Sequence, residues 1–469
     1  MTLIKSISGI RGTVGGKTGE GLSPIDTVKY CAAYAEMLIN KTKPNTKIKV
    51  VIGRDARISG EMYNKLVCGT LMSMGVDVYD CGLSTTPTVE MEVVNQAANG
   101  GIILTASHNP KQWNALKLLN DKGEFISASA GEELLKIAES GDFNFKEVNN
   151  LGKYIEIKDA IDKHIEAILK IDIVDKVAIS KSNFKIIIDA INSTGSIAVP
   201  KLLTALGVEN FTVIHGEMHG NFAHNPEPLP DHLRDLSTEV INKKAHLGIS
   251  VDPDVDRLAF VCEDGEMFGE EYTLVAVADY VLKHRKGNTV SNLSSTKALR
   301  DVTEKAGMHY QSSAVGEVNV VEVMKNYQAV IGGEGNGGII FPELHYGRDA
   351  LVGIALFLSH LANFKKPISM LRASYPNYFI SKNKIELTEE TPVDLILTKI
   401  QAKYAKQPIN TIDGLKIEFD NSWIHLRKSN TEPIIRIYAE ASNLSIADKL
   451  AFKIIDDIKE INHQLLEKN

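Results

Sequence analysis

At 469 residues the chain is too long for one hydrophobic core, and roughly three or four domains are expected. Hydrophobic residues at 43% and charged residues at 24% describe an ordinary globular protein, and a formal charge of -7 argues against a nucleic-acid surface or an anionic membrane. Cys31, Cys68, Cys81 and Cys262 form no CxxC pair, residues 1–6 lack the apolar core of a signal peptide, and no run approaches the ~18 apolar residues of a bilayer span, so reduced buried thiols and a cytoplasmic location are expected.

Residues 1 to about 150 alternate strand-like and helix-like runs, which implies parallel crossovers. In Ser8-Gly9-Ile10-Arg11-Gly12, two glycines let the backbone approach a ligand while the Arg11 guanidinium reaches it. Residues 26–39 read as an amphipathic helix, and 48–52 as a strand ending in Gly53-Arg54-Asp55-Ala56-Arg57. Residues 76–79 and 101–104 read as further strands. The last of these runs into Thr105-Ala106-Ser107-His108-Asn109-Pro110, where Asn109-Pro110 turns the chain. Ser107 is thereby presented at the carboxyl end of a strand, where open α/β sheets place their chemistry. Lys117 is a candidate proton donor or phosphate contact.

Residues 141–152 are polar, Asn-rich and weakly periodic, as a linker would be. A second α/β unit follows: a strand over 183–189, a helix over 196–206 stopped by Gly207, and a strand over 211–214. His215, His219 and His224 lie among glycines and prolines. Gly216, Gly220 and Pro226 deny the helix that would hold the first two on one face, so this segment reads as a loop with incidental histidines rather than a metal site. A strand over 247–251 enters Asp252-Pro253-Asp254-Val255-Asp256-Arg257, whose three carboxylates alternate and can converge on one hard cation. An EF-hand would place its last ligand at Glu263, but Arg257 stands where that loop needs glycine and 258–261 is strand-like. Magnesium on a strand-end loop, completed by a phosphate oxygen, fits better.

A third unit has strands at 289–293 and 330–333, with a helix between them capped by Ser295 or Thr296 and closed by Gly307. Glu334-Gly335-Asn336-Gly337-Gly338 follows. Glu334 and Asn336 can face the same side of an extended segment and contact neighbouring sugar hydroxyls. Residues 348–363 read as a long apolar helix, 391–405 as a helix, and 415–419 with 423–426 as an antiparallel pair. Arg427, Ser429, Asn430, Thr431 and Arg436, on a turn and the strand at 434–439, supply many donors and little acidity, as an anion-binding turn requires. Residues 445–466 close the chain as a helix.

These motifs, in this order, resemble those of the α-D-phosphohexomutases. The resemblance rests on residues 105–110, 252–257, 333–338 and 427–436. Gly9-Ile10-Arg11-Gly12, Gly53-Arg54-Asp55, Asn225-Pro226-Glu227-Pro228 and Val315-Gly316 add to it, so that it spans nearly the whole chain. It implies three similar mixed-sheet α/β domains and a smaller C-terminal α+β domain around a central cleft, here divided as 1–152, 153–256, 257–369 and 370–469. It implies Ser107 as a phosphoserine. Magnesium would lie on Asp252, Asp254 and Asp256 together with the Ser107 phosphate. Arg11, Lys117 and Arg257 would surround the transferred phosphate, with general acid and base work among them. Glu334 and Asn336 would read the sugar, and Arg427, Ser429, Asn430, Thr431 and Arg436 would hold the phosphate not being transferred.

The implied reaction interconverts hexose 6- and 1-phosphates through a 1,6-bisphosphate, which also serves as activator, in a monomer or homodimer. The family usually carries Ser and His where this chain has Asn336 and Gly338, and Tyr and Gly are frequent where it has Trp113 and Ala115. The glycine-rich form resembles an archaeal-like branch often assigned to glucosamine phosphates, with glucose or mannose phosphates as alternatives. A serine-dependent phosphatase and a sugar-phosphate sensor are the rival classes. The phosphatase has no use for a second anion site at 427–436, and the sensor would bind hexose phosphates without phosphorylating Ser107.

Overall fold

A computed structural model describes residues 1–6, 9–44, 46–386, 392–428 and 434–466. Four sheets follow one another along the chain. The first has seven strands, in the spatial order Leu3–Ser6, Gly9–Thr13, Trp113–Leu119, Gly100–Leu104, Lys49–Arg54, Asp77–Leu83, Tyr154–Glu156. Its last four strands are parallel and its first three antiparallel.

The second and third sheets share one plan of three parallel strands and an antiparallel edge. The second runs Leu258–Cys262, Leu247–Val251, Lys185–Asp189, Asn210–Ile214; the third runs Tyr310–Ser313, Asn288–Asn292, Ala329–Glu334, Gly338–Ile340. The fourth sheet is wholly antiparallel, in the order Phe379–Glu386, Ile434–Ala441, Ser422–Lys428, Leu415–Phe419, Ile409–Asn410, and the helices Val393–Lys403 and Leu444–Leu466 pack with it. The expected architecture of three α/β units and an α+β unit is therefore present.

The expected divisions at 152/153 and 256/257 fall inside sheets. Tyr154–Glu156 joins the first sheet beside Asp77–Leu83, and Leu258–Cys262 forms a hairpin with Leu247–Val251 in the second. Composition marks the loop, but backbone pairing carries one more strand past it. The long apolar helix is Ala350–Phe364, with Asp349 as its cap through Leu351 N and Val352 N, which leaves Arg348 outside the helix.

The first and fourth units have their own cores, whereas one continuous core spans the second and third. There the helices Glu270–His284 and Ala350–Phe364 pack together, with Phe260 stacked on Phe357 at 3.8 Å between ring centres. A buried junction ties three units. His164 Nε2 lies 2.9 Å from Asp349 Oδ2, and His345 sits 3.3 Å from Asp349 and 3.4 Å from Glu90. No helix among the described residues is long and apolar enough to cross a membrane.

Candidate active site

The same connection recurs in each of the first three sheets: a parallel strand ends, a loop follows, and the chain returns antiparallel. The loops are 105–112, 252–257 and 335–337. Each is the stretch that the sequence singles out for chemistry.

The first loop is held from beneath by Arg57, which is 1% exposed. Its guanidinium pairs with Asp55 at 3.0 Å and donates to the carbonyls of Pro110 at 2.9 Å, Trp113 at 3.0 Å and Asn109 at 2.6 Å, and to that of Ser107. Thr105 Oγ1 donates to Asp55 at 2.6 Å and accepts from Ser107 N at 2.9 Å. So braced, Ser107 adopts φ +48°, which L-residues rarely do, and its hydroxyl donates to Asp252 Oδ2 at 2.7 Å.

The carboxylates of Asp252, Asp254 and Asp256 each offer an oxygen within 4.8 Å of the others, and all three residues are fully buried. Asp252 Oδ1 accepts the amides of Asp256 and Arg257, both at 3.1 Å, and Ser193 and Thr194 donate to Pro253 O at 2.6 and 2.8 Å. Asp254 Oδ2 accepts from Thr86 at 2.6 Å and Lys117 at 2.7 Å, and Lys117 lies 3.3 Å from Asp256. Asp254 Oδ1 and Asp256 Oδ1 are buried without a hydrogen-bond partner among the described residues. Two unsatisfied oxygens in so closely spaced a carboxylate group suit a cation, so this group could hold a metal. Burial, then Asp256 and Asp254, push Asp252 well above the ordinary carboxylate range. Asp256 goes the other way: burial opposes the shift, but Arg348, Lys117 and Arg257 pull it down.

In the third loop Glu334 Oε1 accepts from Asn292 at 2.9 Å and Gly316 N at 3.0 Å, and Oε2 accepts from Arg348 at 2.9 Å. Arg348 also reaches Asp256 at 2.7 Å and Glu317 at 3.0 Å, so one buried guanidinium links the 252–257 loop to Glu334 beside the 335–337 loop.

These loops open onto one cleft of about 440 Å³. Arg11 and His108 line it from the first unit, Glu227 and Arg257 from the second, Glu334 and Asn336 from the third, and Arg427 and Arg436 from the fourth. Arg11 donates to Asn109 Oδ1 at 3.2 Å, and Arg257 pairs with Glu227 at 3.1 Å. Burial, then Arg257, holds His108 well below the usual imidazole range, and its Nδ1 has no partner among the described residues. Arg427 and Arg436 are directly opposed in the antiparallel ladder; Asp413 pairs with Arg427 Nε at 2.9 Å, and both guanidinium side chains line the cleft, where an anion would offset their mutual repulsion. Ser429, Asn430 and Thr431 lie outside the described residues.

Residues 3–145, 162–265 and 269–378 match, in order, alpha/beta/alpha domains I, II and III of phosphoglucomutase/phosphomannomutase, and 384–456 match its C-terminal domain. The chain belongs to this family. A probable phosphoglucosamine mutase of Methanopyrus kandleri is 30% identical over 463 residues, covering 98% of both chains. A phosphoglucomutase/phosphomannomutase of Thermococcus kodakarensis is 33% identical over 92% of this chain and 94% of its own. A crystal structure of a family protein from Burkholderia thailandensis superimposes with a TM-score of 0.81 at 24% identity, covering 98% and 97% of the two chains. Enzymes of this family are mutases, that is, intramolecular phosphotransferases, and this chain is one of them.

Within this mutase, Ser107, the three aspartates, Lys117 and Arg257 come together, and Arg11, Glu334, Asn336, Arg427 and Arg436 face the same cleft. Sequence reasoning missed Arg348, read only as the start of a helix, and gave no role to Glu227, Arg57 or Thr86. It also passed over Glu271, a cleft carboxyl that burial pushes up to about 8. Arginine beside aspartate before a helix cap was the only local signal for Arg348.

Proposed function

We propose that the protein interconverts hexose 6-phosphate and hexose 1-phosphate through phosphorylated Ser107 and a hexose 1,6-bisphosphate, with glucosamine phosphate as the sugar. The carrying observation is that the Ser107 hydroxyl bonds a carboxylate of the aspartate group, while the next residue, His108, shares a cleft with the opposed pair Arg427 and Arg436. A phosphatase would have no use for that second cation pair.

Asp252, Asp254 and Asp256 would hold Mg2+, which suits an all-oxygen set, and when bound it neutralises charge on the transferring phosphoryl group. Arg11 and Arg257 bind the same group from the cleft. Lys117 is held protonated by Asp254 and Asp256 against the effect of burial, so it can return a proton to the serine oxygen as the phosphoryl leaves. His108 is kept neutral and lines the cleft, so its imidazole can take the proton of the attacking sugar hydroxyl. The bisphosphate then turns in the cleft, Arg427 and Arg436 hold the other phosphate, and Ser107 is rephosphorylated. Free hexose 1,6-bisphosphate recharges any serine that has lost its phosphate.

Glu334 offers a cleft carboxylate to the amino or hydroxyl groups of the sugar, which is compatible with glucosamine phosphate. The relatives' names support the same sugar, with glucose and mannose phosphates as the second reading. The enzyme acts on this small anion as a cytoplasmic monomer or homodimer. Side-by-side turnover of glucosamine, glucose and mannose phosphates, with Mg2+ and a trace of bisphosphate, tests the proposal. The glucosamine pair should turn over fastest, and intact mass should show one phosphate that Ser107→Ala lacks. Steady release of inorganic phosphate without bisphosphate dependence would overturn it.

A further inference from the structure

The loop read as holding incidental histidines is organised around a residue far from it in sequence. Asp189, fully buried at the carboxyl end of Lys185–Asp189, lies 3.1 Å through Oδ1 from His215 Nδ1 and 2.8 Å through Oδ2 from His224 Nε2. The three ligand atoms lie within 4.8 Å of one another. We propose that Asp189, His215 and His224 form a second metal site, for a zinc-class first-row divalent cation, separate from the aspartate group at 252–256.

The far nitrogen of each imidazole faces a protein oxygen, and Asp189 also accepts a backbone amide, as metal-bound histidines and carboxylates require. His224 Nδ1 donates to Asn225 O at 2.8 Å, His215 Nε2 faces Asp235 at 3.4 Å, and Asp189 Oδ1 accepts Ile191 N at 3.0 Å. The Asn225 carbonyl selects the tautomer that turns the His224 Nε2 lone pair toward the carboxylate, and Asp235 favours a proton on His215 Nε2, which leaves Nδ1 to do the same. Atoms with lone pairs at these distances repel unless positive charge lies between them, supplied either by two protons or by one divalent cation. Two imidazoles and one carboxylate suit zinc, cobalt or nickel, whereas magnesium prefers the all-oxygen group. The two imidazole side chains are 19% and 15% exposed, so an ion can enter and coordination positions remain open to water. The site also bears on the cleft, because the loop that carries His224 carries Glu227, the partner of Arg257.

His219 provides an internal control. It lies in the same loop but accepts from Asn221 N at 3.1 Å, away from Asp189. Chelator-stripped protein in excess Mg2+, titrated with Zn2+ by calorimetry, should bind one Zn2+ per chain. That equivalent should be lost in His215→Ala and in His224→Ala and kept in His219→Ala. Should either variant fail to fold, the wild-type protein still decides: Zn2+ should protect His215 and His224, and not His219, from diethyl pyrocarbonate, as read by peptide mass. Absence of Zn2+ binding by wild-type protein, its retention in both alanine variants, or equal labelling with and without Zn2+ would mean that protons alone fill the cluster and would overturn the assignment.

Discussion

Replacing Arg348 by Met tests the link between the 252–257 and 335–337 loops. The guanidinium is 10% exposed and contacts Asp256 at 2.7 Å, Glu334 at 2.9 Å and Glu317 at 3.0 Å. Met keeps much of the volume and removes the charge. Asp256 retains Lys117 at 3.3 Å, and Glu334 retains Asn292 at 2.9 Å and Gly316 N at 3.0 Å. Glu317 loses its side-chain cation and keeps the Arg348 amide at 3.1 Å. Breaking a buried ion pair from one side costs about 3–5 kcal/mol, and the surviving partners place this case near the lower end. At about 2–4 °C per kcal/mol, the thermal midpoint should fall by roughly 6–12 °C. Turnover should drop about 100-fold or more, as sub-ångström positioning of Asp256 and Glu334 is lost. Scanning calorimetry and initial rates read the two effects. Adding Glu317→Gln removes the stranded charge, so the double variant should recover about half of the lost stability and little of the turnover. Wild-type melting and rate in Arg348→Met, or no thermal recovery in the double variant, would refute the reasoning.

Ser107→Ala should abolish mutase turnover, and a near wild-type rate would remove the serine from the mechanism. Asp254→Ala should eliminate both activity and its response to Mg2+, checked by rates across a magnesium titration. Gly337 has φ +82°, and an added Cβ would lie 2.1 Å from Leu258 O. Gly337→Ala should therefore cost at least about 1–2 kcal/mol from its left-handed backbone alone and raise KM for the sugar, measured by melting and kinetics. At the buried junction, burial pushes Glu90 up to about 8 from 4.5. His345 is held at about 10, up from 6.5, where Asp349 and Glu90 outweigh burial. Both groups bind protons more tightly in the folded state. Their stabilisation is complete below the unfolded values and is lost as pH rises, across 4.5–8 for Glu90 and 6.5–10 for His345. Glu90→Gln should flatten the fall of the thermal midpoint between pH 5 and 8, and an unchanged slope would count against the assignment.

The site was legible where its chemistry is local. Thr105 to Pro110, Asp252 to Arg257 and Glu334 to Gly338 each concentrate reactive, chelating or conformationally special residues in one strand-end loop. Arg348 was not legible, because its partners stand 92, 31 and 14 positions away and nothing in its neighbours announces them. His215 and His219 were read as denied a shared helix face, and the segment is a loop; the pair that the fold brings together is His215 and His224. Their convergence on Asp189 depends on a parallel strand pairing that residue spacing does not encode.

The apolar rhythm of the chain, with its glycine and proline stops, was enough to determine the four α/β and α+β units and the three strand-end loops, since helix caps, turns and strand periods depend on near neighbours. Tertiary structure alone decided that Tyr154–Glu156 and Leu258–Cys262 belong to the preceding sheets, that the second and third units share a core, and that Arg427 faces Arg436 across a ladder. Those outcomes turn on which distant surfaces exclude water together and which buried charges find partners, and neither is a property of any short stretch of chain.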